Sequence, residues 1–443
     1  MSNSPIPVAD GQTGLEILRG LLRERSLLAA LSLMYKYVGS AFQITLPRFK
    51  PVVVVGAETN RQLLVSERQK LLWRNEADPV TDLLGHGILV VDGKDHDELR
   101  NTMDPLMQRR YVVPHIPAFW SYTDQISRSW QEGEVKDMLV EMRKIALLIL
   151  FGTLFRVDIT KDLDRLWQPI LDLIEYISPG WWIIFPNMPR HPKFRRAQRI
   201  IDDYLLQLIL KRRVELQHDH DEDLRNDLLS SLVLKEGMSD QLIRDQLLTM
   251  LIAGHDTSTA LLAWTLYLLG MHPQAMMDTQ SEVDEVLGHV GEPPSIEQVN
   301  NLVFIDQVIK EALRLYPPIH IGNRMTAEDM QLLGYQVPRE SRVMYSIYLS
   351  HREAEFWEQP EEFKPNRFDR NLEARRPPFT YIPFGGGPRN CIGAAFAQVE
   401  SKVVVARLLQ QFKLVLTNAN EIKPYMGATL EPRPGVKMLI RLR

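Results

Sequence analysis

Ten residues near the C-terminus constrain this chain most: Phe384-Gly385-Gly386-Gly387-Pro388-Arg389-Asn390-Cys391-Ile392-Gly393, which hold the only cysteine among 443 residues. Three glycines and a proline precede that cysteine, so the backbone must turn tightly and approach something closely. Behind it Phe396, Val399, Val403, Ala406 and Leu409 recur at helical spacing. Cys391 therefore sits where a loop feeds a helix N-terminus, and unpaired N–H groups with the positive end of the helix dipole favour a thiolate there. Structural zinc needs four Cys or His ligands and iron–sulfur clusters need several cysteines. Neither can be assembled here, where the nearest upstream histidine is His351. A nucleophile would want a partner base, and none is recognisable nearby. Haem iron needs one protein ligand, which a cysteine thiolate can be. A buried structural cysteine is the other reading.

Phe384, Gly387, Arg389, Cys391 and Gly393 fill every fixed position of the pattern Phe-x-x-Gly-x-Arg-x-Cys-x-Gly, and the stretch resembles the haem-binding loop of the cytochrome P-450 family. The resemblance implies a haem-thiolate protein that activates dioxygen. Its cofactor would be haem b (iron protoporphyrin IX), with Cys391 as metal ligand and the other four residues around the haem.

Composition sets the outer bounds. Apolar residues make up 45% and charged residues 24%, an ordinary globular balance. The net charge of -4 argues against a nucleic-acid partner, which usually demands a basic excess. One cysteine excludes an intramolecular disulfide and suits a reducing compartment. Met1 to Gly14 is polar, and the apolar pattern from Leu27 to Val38 is too short to span a bilayer. Microsomal members of the family carry an N-terminal anchor, so the expectation is a cytoplasmic, monomeric protein of prokaryotic type with no transmembrane segment.

Residues 41–57 read as two strands joined by a turn, the second dominated by Val52 to Val55. Asp78 to Leu89, with Gly85 and Gly87, reads as a loop able to cover a ligand. A helix starting near Asp95 puts His96 and Arg100 one turn apart on one face. The pair suits either a solvated helix face or a carboxylate pair, and the resemblance assigns it to a haem propionate. Residues 176–190 form an aromatic patch, including Trp181, Trp182 and Phe185, broken by three prolines. The resemblance places it between the helices that roof the substrate channel. The charge-rich stretches Lys211-Arg212-Arg213 and His218 to Asp223 read as solvated surface.

A long helix is expected from about Ser239, a good N-cap, to Gly270. Its flanks are apolar nearly all round, as in a central, buried helix. Gly254-His255-Asp256-Thr257 interrupts them, where polar groups are expensive. Gly254 would let a ligand approach the backbone, and Thr257 can hydrogen-bond its own turn. The resemblance assigns Asp256 and Thr257 as an acid–alcohol pair relaying protons toward dioxygen. Ser295 to Gln298 resembles a capping box. Glu311 and Arg314 stand at i,i+3 and can pair. In the family this pair is buried and joined by a later arginine, for which Arg367 in Pro365-Asn366-Arg367-Phe368 fits. The three would form a structural network. By resemblance Pro318 to Asn323 lines the haem pocket and Arg324 meets a propionate. Gly334 to Tyr348, Leu414–Leu416 and Val436–Leu442 read as strands, with the turn near Met426–Thr429 facing the substrate.

The expected fold is mainly α with a small β-rich subdomain, one catalytic domain over residues 1–443 with β-rich parts near 41–57, 331–348 and 413–443. The expected activity inserts one atom of dioxygen into a small hydrophobic, lipid- or terpenoid-like substrate; Arg389 and the Pro-Asn-Arg-Phe segment resemble the branches that oxidise such compounds. No flavin or nicotinamide domain fits, so electrons would come from a ferredoxin or flavodoxin with its NAD(P)H-dependent reductase. Two rivals stay open: a haem-thiolate peroxygenase or hydroperoxide isomerase, against which the acid–alcohol pair counts, and a haem sensor without turnover.

Overall fold

The computed structural model describes residues 5–24, 26–46, 49–179, 191–218, 225–288 and 291–443. It is mainly helical, and the molecule is built around one helix, Asp240–Met271. Ser239 caps it by accepting from the Leu242 N–H, and its 32 residues span about 48 Å at 1.5 Å each. Its threonines can sit inside because the helix satisfies them itself. Thr249, Thr257, Thr259 and Thr265 each donate to the carbonyl four residues back, at 2.7–2.9 Å. Its most extensive helical partner is Met138–Leu154, whose run from Ile145 to Phe151 is wholly buried. Trp264 stacks on Tyr316 at 3.7 Å between ring centroids.

The strands are β1 (Ala41–Gln43), β2 (Val52–Val54), β3 (Leu71–Leu72), β4 (Val135–Asp137), β5 (Ile321–Thr326), β6 (Met330–Leu332), β7 (Tyr335–Val337), β8 (Arg342–Ser346), β9 (Phe412–Leu416), β10 (Lys423–Met426), β11 (Leu430–Arg433) and β12 (Lys437–Leu442). The largest sheet has the order β1-β2-β8-β5-β3. In it β2, all β-branched and buried, pairs parallel with β8. The sequence reading missed β3, β4, β5, which carries Arg324, and the β10–β11 hairpin, whose Pro424 and Pro432 obscure its pattern.

Three expectations need correcting. Residues 78–89 are not an open cover: Pro79–Leu84 is helical, and the stretch after it is fastened to the central helix. There Asp245 accepts from the His86 N–H and Gln246 from the Ile88 N–H, both at 2.8 Å. Arg212 is not solvated but buried, donating to Asp227 at 2.5 Å, Ser230 at 2.7 Å and the Phe155 carbonyl at 2.9 Å. A cation with that many acceptors can leave water. The cysteine helix runs Ala394–Gln411, starting three residues beyond Cys391. The aromatic patch from Trp181 to Phe185 and the acidic tract after His218 lie outside the described residues. Among the described residues no helix is long and apolar enough to cross a membrane.

Candidate active site

The cysteine loop is held by its own backbone. The Cys391 N–H donates to the Phe384 carbonyl at 2.8 Å, closing the loop between them. Gly385 and Gly387 have φ of 71° and 67°, which side-chain-bearing residues resist. At Gly387 any Cβ would also collide with the Leu64 carbonyl. Arg389 is tied to the segment before the Gly93–Met107 helix, donating to the Val91 carbonyl at 2.5 Å and to Asp92 at 2.8 Å. Arg100 grips the residue before the cysteine, donating to the Asn390 carbonyl at 2.7 Å and to its side-chain oxygen at 3.0 Å.

Burial pushes the Cys391 thiol up; the Gly393 N–H and the Arg100 charge pull it back only in part. The thiolate expected from the helix dipole is thus not what the protein alone stabilises, because the helix begins too late and desolvation wins. The same side chain is nevertheless exposed. A group that lies deep in the protein and is still uncovered faces an interior space. A bound metal cation would reverse the balance, since a coordinating thiol is deprotonated outright.

Around this space stand four basic side chains, three of them paired: Arg389 with Asp92 at 2.8 Å, Arg100 with Asp104 at 3.1 Å and His96 with Asp97. His96 is buried and held below the usual imidazole range, first by desolvation and then by Arg389 and Arg100, against the opposing bond of Nδ1 to Asp97 at 2.9 Å. Arg324 is buried against the rings of Trp73 and Tyr345, 5.3 and 5.6 Å from their centroids. It donates to its neighbour's carbonyl at 2.7 Å, and among the described residues no carboxylate reaches it. Arg389 feels Arg324 and Arg100 as like charges. A lone soft ligand near an arginine that has no carboxylate of its own fits a prosthetic group carrying a metal and carboxylates.

On the central helix Thr257 is half-buried and donates to the Ala253 carbonyl at 2.7 Å. The atom that a Cβ at Gly254 would meet is Leu150 Cδ1, at 2.9 Å, so this glycine serves helix packing in the structure. Asp256 points elsewhere, into a buried cluster that the sequence reading did not contain. Its Oδ1 lies 3.3 Å from Arg143 Nη2, and its Oδ2 accepts from Thr429 at 2.7 Å. The same Nη2 of Arg143 also bonds Glu431, and Arg143 Nε is buried with no partner among the described residues. Desolvation and then the Glu431 charge push the Asp256 carboxyl up to about 6, against the pull of Arg143 and Thr429. The residue after Thr257 makes another link. Ser258 donates at 2.7 Å to Glu400 of the cysteine helix, whose carboxyl burial pushes up to about 7. Glu400 left a trace in the sequence, a carboxylate inside the apolar stripe Val399 to Val403.

The structure brings Glu311, Arg314 and Arg367 together. Arg314 forks onto both oxygens of Glu311 at 2.7 and 2.8 Å, and Arg367 reaches Oε1 at 3.3 Å. The other Arg314 donors take the carbonyls of His351, Pro360 and Glu362 at 2.7–3.1 Å. This fastens the turn Pro365–Phe368, upstream of the cysteine loop, to the helix Val303–Leu315.

Residues 17–439 match the family model described as Cytochrome P450. A Mycobacterium tuberculosis protein bearing the name cytochrome P450 139 is 30% identical over 429 residues, covering 93% of this chain and 97% of its own. Pentalenene oxygenase of Streptomyces avermitilis is 29% identical over 386 residues, covering 84% of each. Among solved structures, retinoic acid bound cyanobacterial CYP120A1 matches with a TM-score of 0.84 over 100% of both chains at 22% identity, a likeness of fold.

Proposed function

The chain belongs to the cytochrome P450 family, a haem monooxygenase by that membership, and we propose that it oxygenates a hydrophobic, lipid- or terpenoid-like substrate using haem b and electrons from a ferredoxin or flavodoxin. One oxygen atom would enter a C–H or C=C bond and the other would leave as water, consuming two electrons and two protons. The observation that carries the reading is the Cys391 thiol, desolvated yet open, beside the basic side chains His96, Arg100, Arg389 and Arg324, the last with no carboxylate partner among the described residues. The substrate class is supported by the names of two similar proteins, which speak of pentalenene and retinoic acid.

When bound, haem supplies the activation of dioxygen, and a thiolate ligand favours O–O cleavage. The chain's residues do the rest. Cys391 is the ligand. Arg324 and His96 take the haem carboxylates, with Arg100 and Arg389 holding the loop and its approach. The Thr257 hydroxyl donates its hydrogen bond to the Ala253 carbonyl, so its oxygen is left to accept and would hold a water at the site of proton transfer. Asp256 is the acid behind it, with a carboxyl close enough to neutrality to take up and release a proton. Glu311, Arg314 and Arg367 are scaffold.

The test measures product, hydrogen peroxide and NADPH together, with saturating reductase and ferredoxin. Wild type should couple NADPH to product. Thr257→Ala should bind haem and substrate normally but divert reduced oxygen into peroxide. Brisk turnover with hydrogen peroxide and none with electron donors would overturn the reading in favour of a peroxygenase.

A further inference from the structure

Among the described residues Asp256 has one cation, and shares it. Arg143, from the helix Met138–Leu154, spends the same nitrogen on Asp256 and on Glu431 of β11, leaving Nε without a partner. The contact to Asp256 is the looser of the two, at 3.3 Å. Glu431 has a further cation outside, Arg433 at 2.6 Å, whose side chain is half exposed. The hairpin that brings Glu431 and Thr429 is pinned in place. Leu430 accepts from Trp264 Nε1 at 2.8 Å and donates to the Pro318 carbonyl at 2.9 Å, while the Ala428 N–H donates to Ser178 at 2.9 Å. Two carboxylates thus compete, at fixed positions, for a cation that cannot serve both fully.

Resting on the oxygenase reading above, we propose that Glu431 is a positioning residue for proton delivery: by drawing Arg143 toward β11 it keeps Asp256 from being locked as an ion-paired carboxylate, while the Thr429 hydroxyl opposes it. The groups facing Asp256 from the elements packed there are Arg143, Glu431 and Thr429, with Arg433 behind Glu431. On its own helix His255 is buried, and desolvation and the Arg143 charge keep it neutral. Glu400, on the cysteine helix, faces Ser258 instead. The long helix Pro192–His218 meets the N-terminal part of the central helix, where its Asp202 pairs with Arg244.

The two neighbours act with opposite sign, which makes the proposal testable. Glu431→Gln keeps the shape but removes the competing charge, so Arg143 should turn to Asp256 and lower its protonation midpoint. Thr429→Val removes a bond to the carboxylate and should raise that midpoint. The midpoint is read without turnover, by infrared titration of the protonated carboxyl band, assigned by its loss in Asp256→Asn. The expected shifts are about one pH unit down and about half a unit up. In Glu431→Gln the pH profile of product formation should move acid with the band. At pH 7.5 product per unit time should fall about tenfold, with a larger solvent deuterium effect. A band that stays put in Glu431→Gln, or that moves the same way in both variants, overturns the proposal. So do shifted bands with an unmoved pH profile, and in that case the oxygenase reading stands. A wild type that forms no product with any electron donor removes the reading itself. Should Glu431→Gln fail to fold, Arg433→Gln, at a half-exposed residue, carries the test: released from Arg433, Glu431 should draw Arg143 harder and raise the Asp256 midpoint, and an unmoved band overturns the proposal.

Discussion

Two buried arginines divide the work of this molecule. Arg314 has five N–H donors and makes five hydrogen bonds, two to Glu311 and three to carbonyls, with the Trp357 ring 5.1 Å away. Arg143 is nearly as buried, yet it uses one nitrogen for two carboxylates and leaves another without a partner among the described residues. A saturated cluster has one arrangement and resists every other, which suits a scaffold that fixes a metal loop. An underfilled one has two arrangements of similar energy, which suits a site where a proton must come and go. Glu400 is intermediate, a buried carboxyl with the Ser258 hydroxyl as its hydrogen-bond donor and no cation in ion-pair range among the described residues.

The largest effect should come from breaking the saturated cluster. Glu311→Ala strands two arginines and the Lys364 N–H, and removing one partner of a buried ion pair costs about 3–5 kcal/mol. Little haem-loaded soluble protein should survive; a melting temperature within a degree or two of wild type would reduce the network to decoration. Next is Glu400. Its folded carboxyl lies near 7 against an ordinary 4.5, so it contributes stability in acid that is lost as pH rises from about 4.5 through about 7. Glu400→Gln should therefore melt like wild type at pH 4 and gain up to about 3 kcal/mol over it at pH 8. A constant difference across that range would mean that Glu400 does not titrate there.

Asp256→Asn sharpens the contrast most. It should cost about 1 kcal/mol or less in thermal unfolding, because the carboxylate is poorly stabilised to begin with. Turnover should fall about a hundredfold, the low end for a general acid–base group. If it melts as badly as Glu311→Ala, both clusters are scaffold. The smallest effect belongs to Arg367, at the rim of the saturated cluster with a single 3.3 Å contact to Glu311. Arg367→Gln should cost about 1–2 kcal/mol by chemical denaturation, and a loss equal to that of Glu311→Ala would show that Arg314 alone does not hold the network.

The saturated cluster was legible because Glu311 and Arg314 stand one helical turn apart and their spacing can be read directly. The central helix was legible for a similar reason, since Ser239 and the apolar flanks mark its course to within about a residue of the observed Asp240–Met271. The glycine loop announced itself through residues that only a tight turn requires. The underfilled cluster had no such signal. Arg143 lies 113 positions from Asp256 and 288 from Glu431, and only the folded chain brings them together. The thiol was misjudged because a sequence shows the helix dipole but not the desolvation that opposes it. Arg212 was misjudged likewise, a charge placed in solvent by composition and taken inside by Asp227 and a carbonyl.

The central claim is that Cys391 is the haem ligand, and one spectrum addresses it. The purified, haem-loaded protein is reduced under carbon monoxide, and Cys391→Ala is treated identically. Wild type should show the red-shifted Soret band of thiolate ligation. The variant should lack it, because the chain has no other cysteine. A variant that keeps the wild-type band would contradict the assignment, and with it the roles given to the cations and to Asp256.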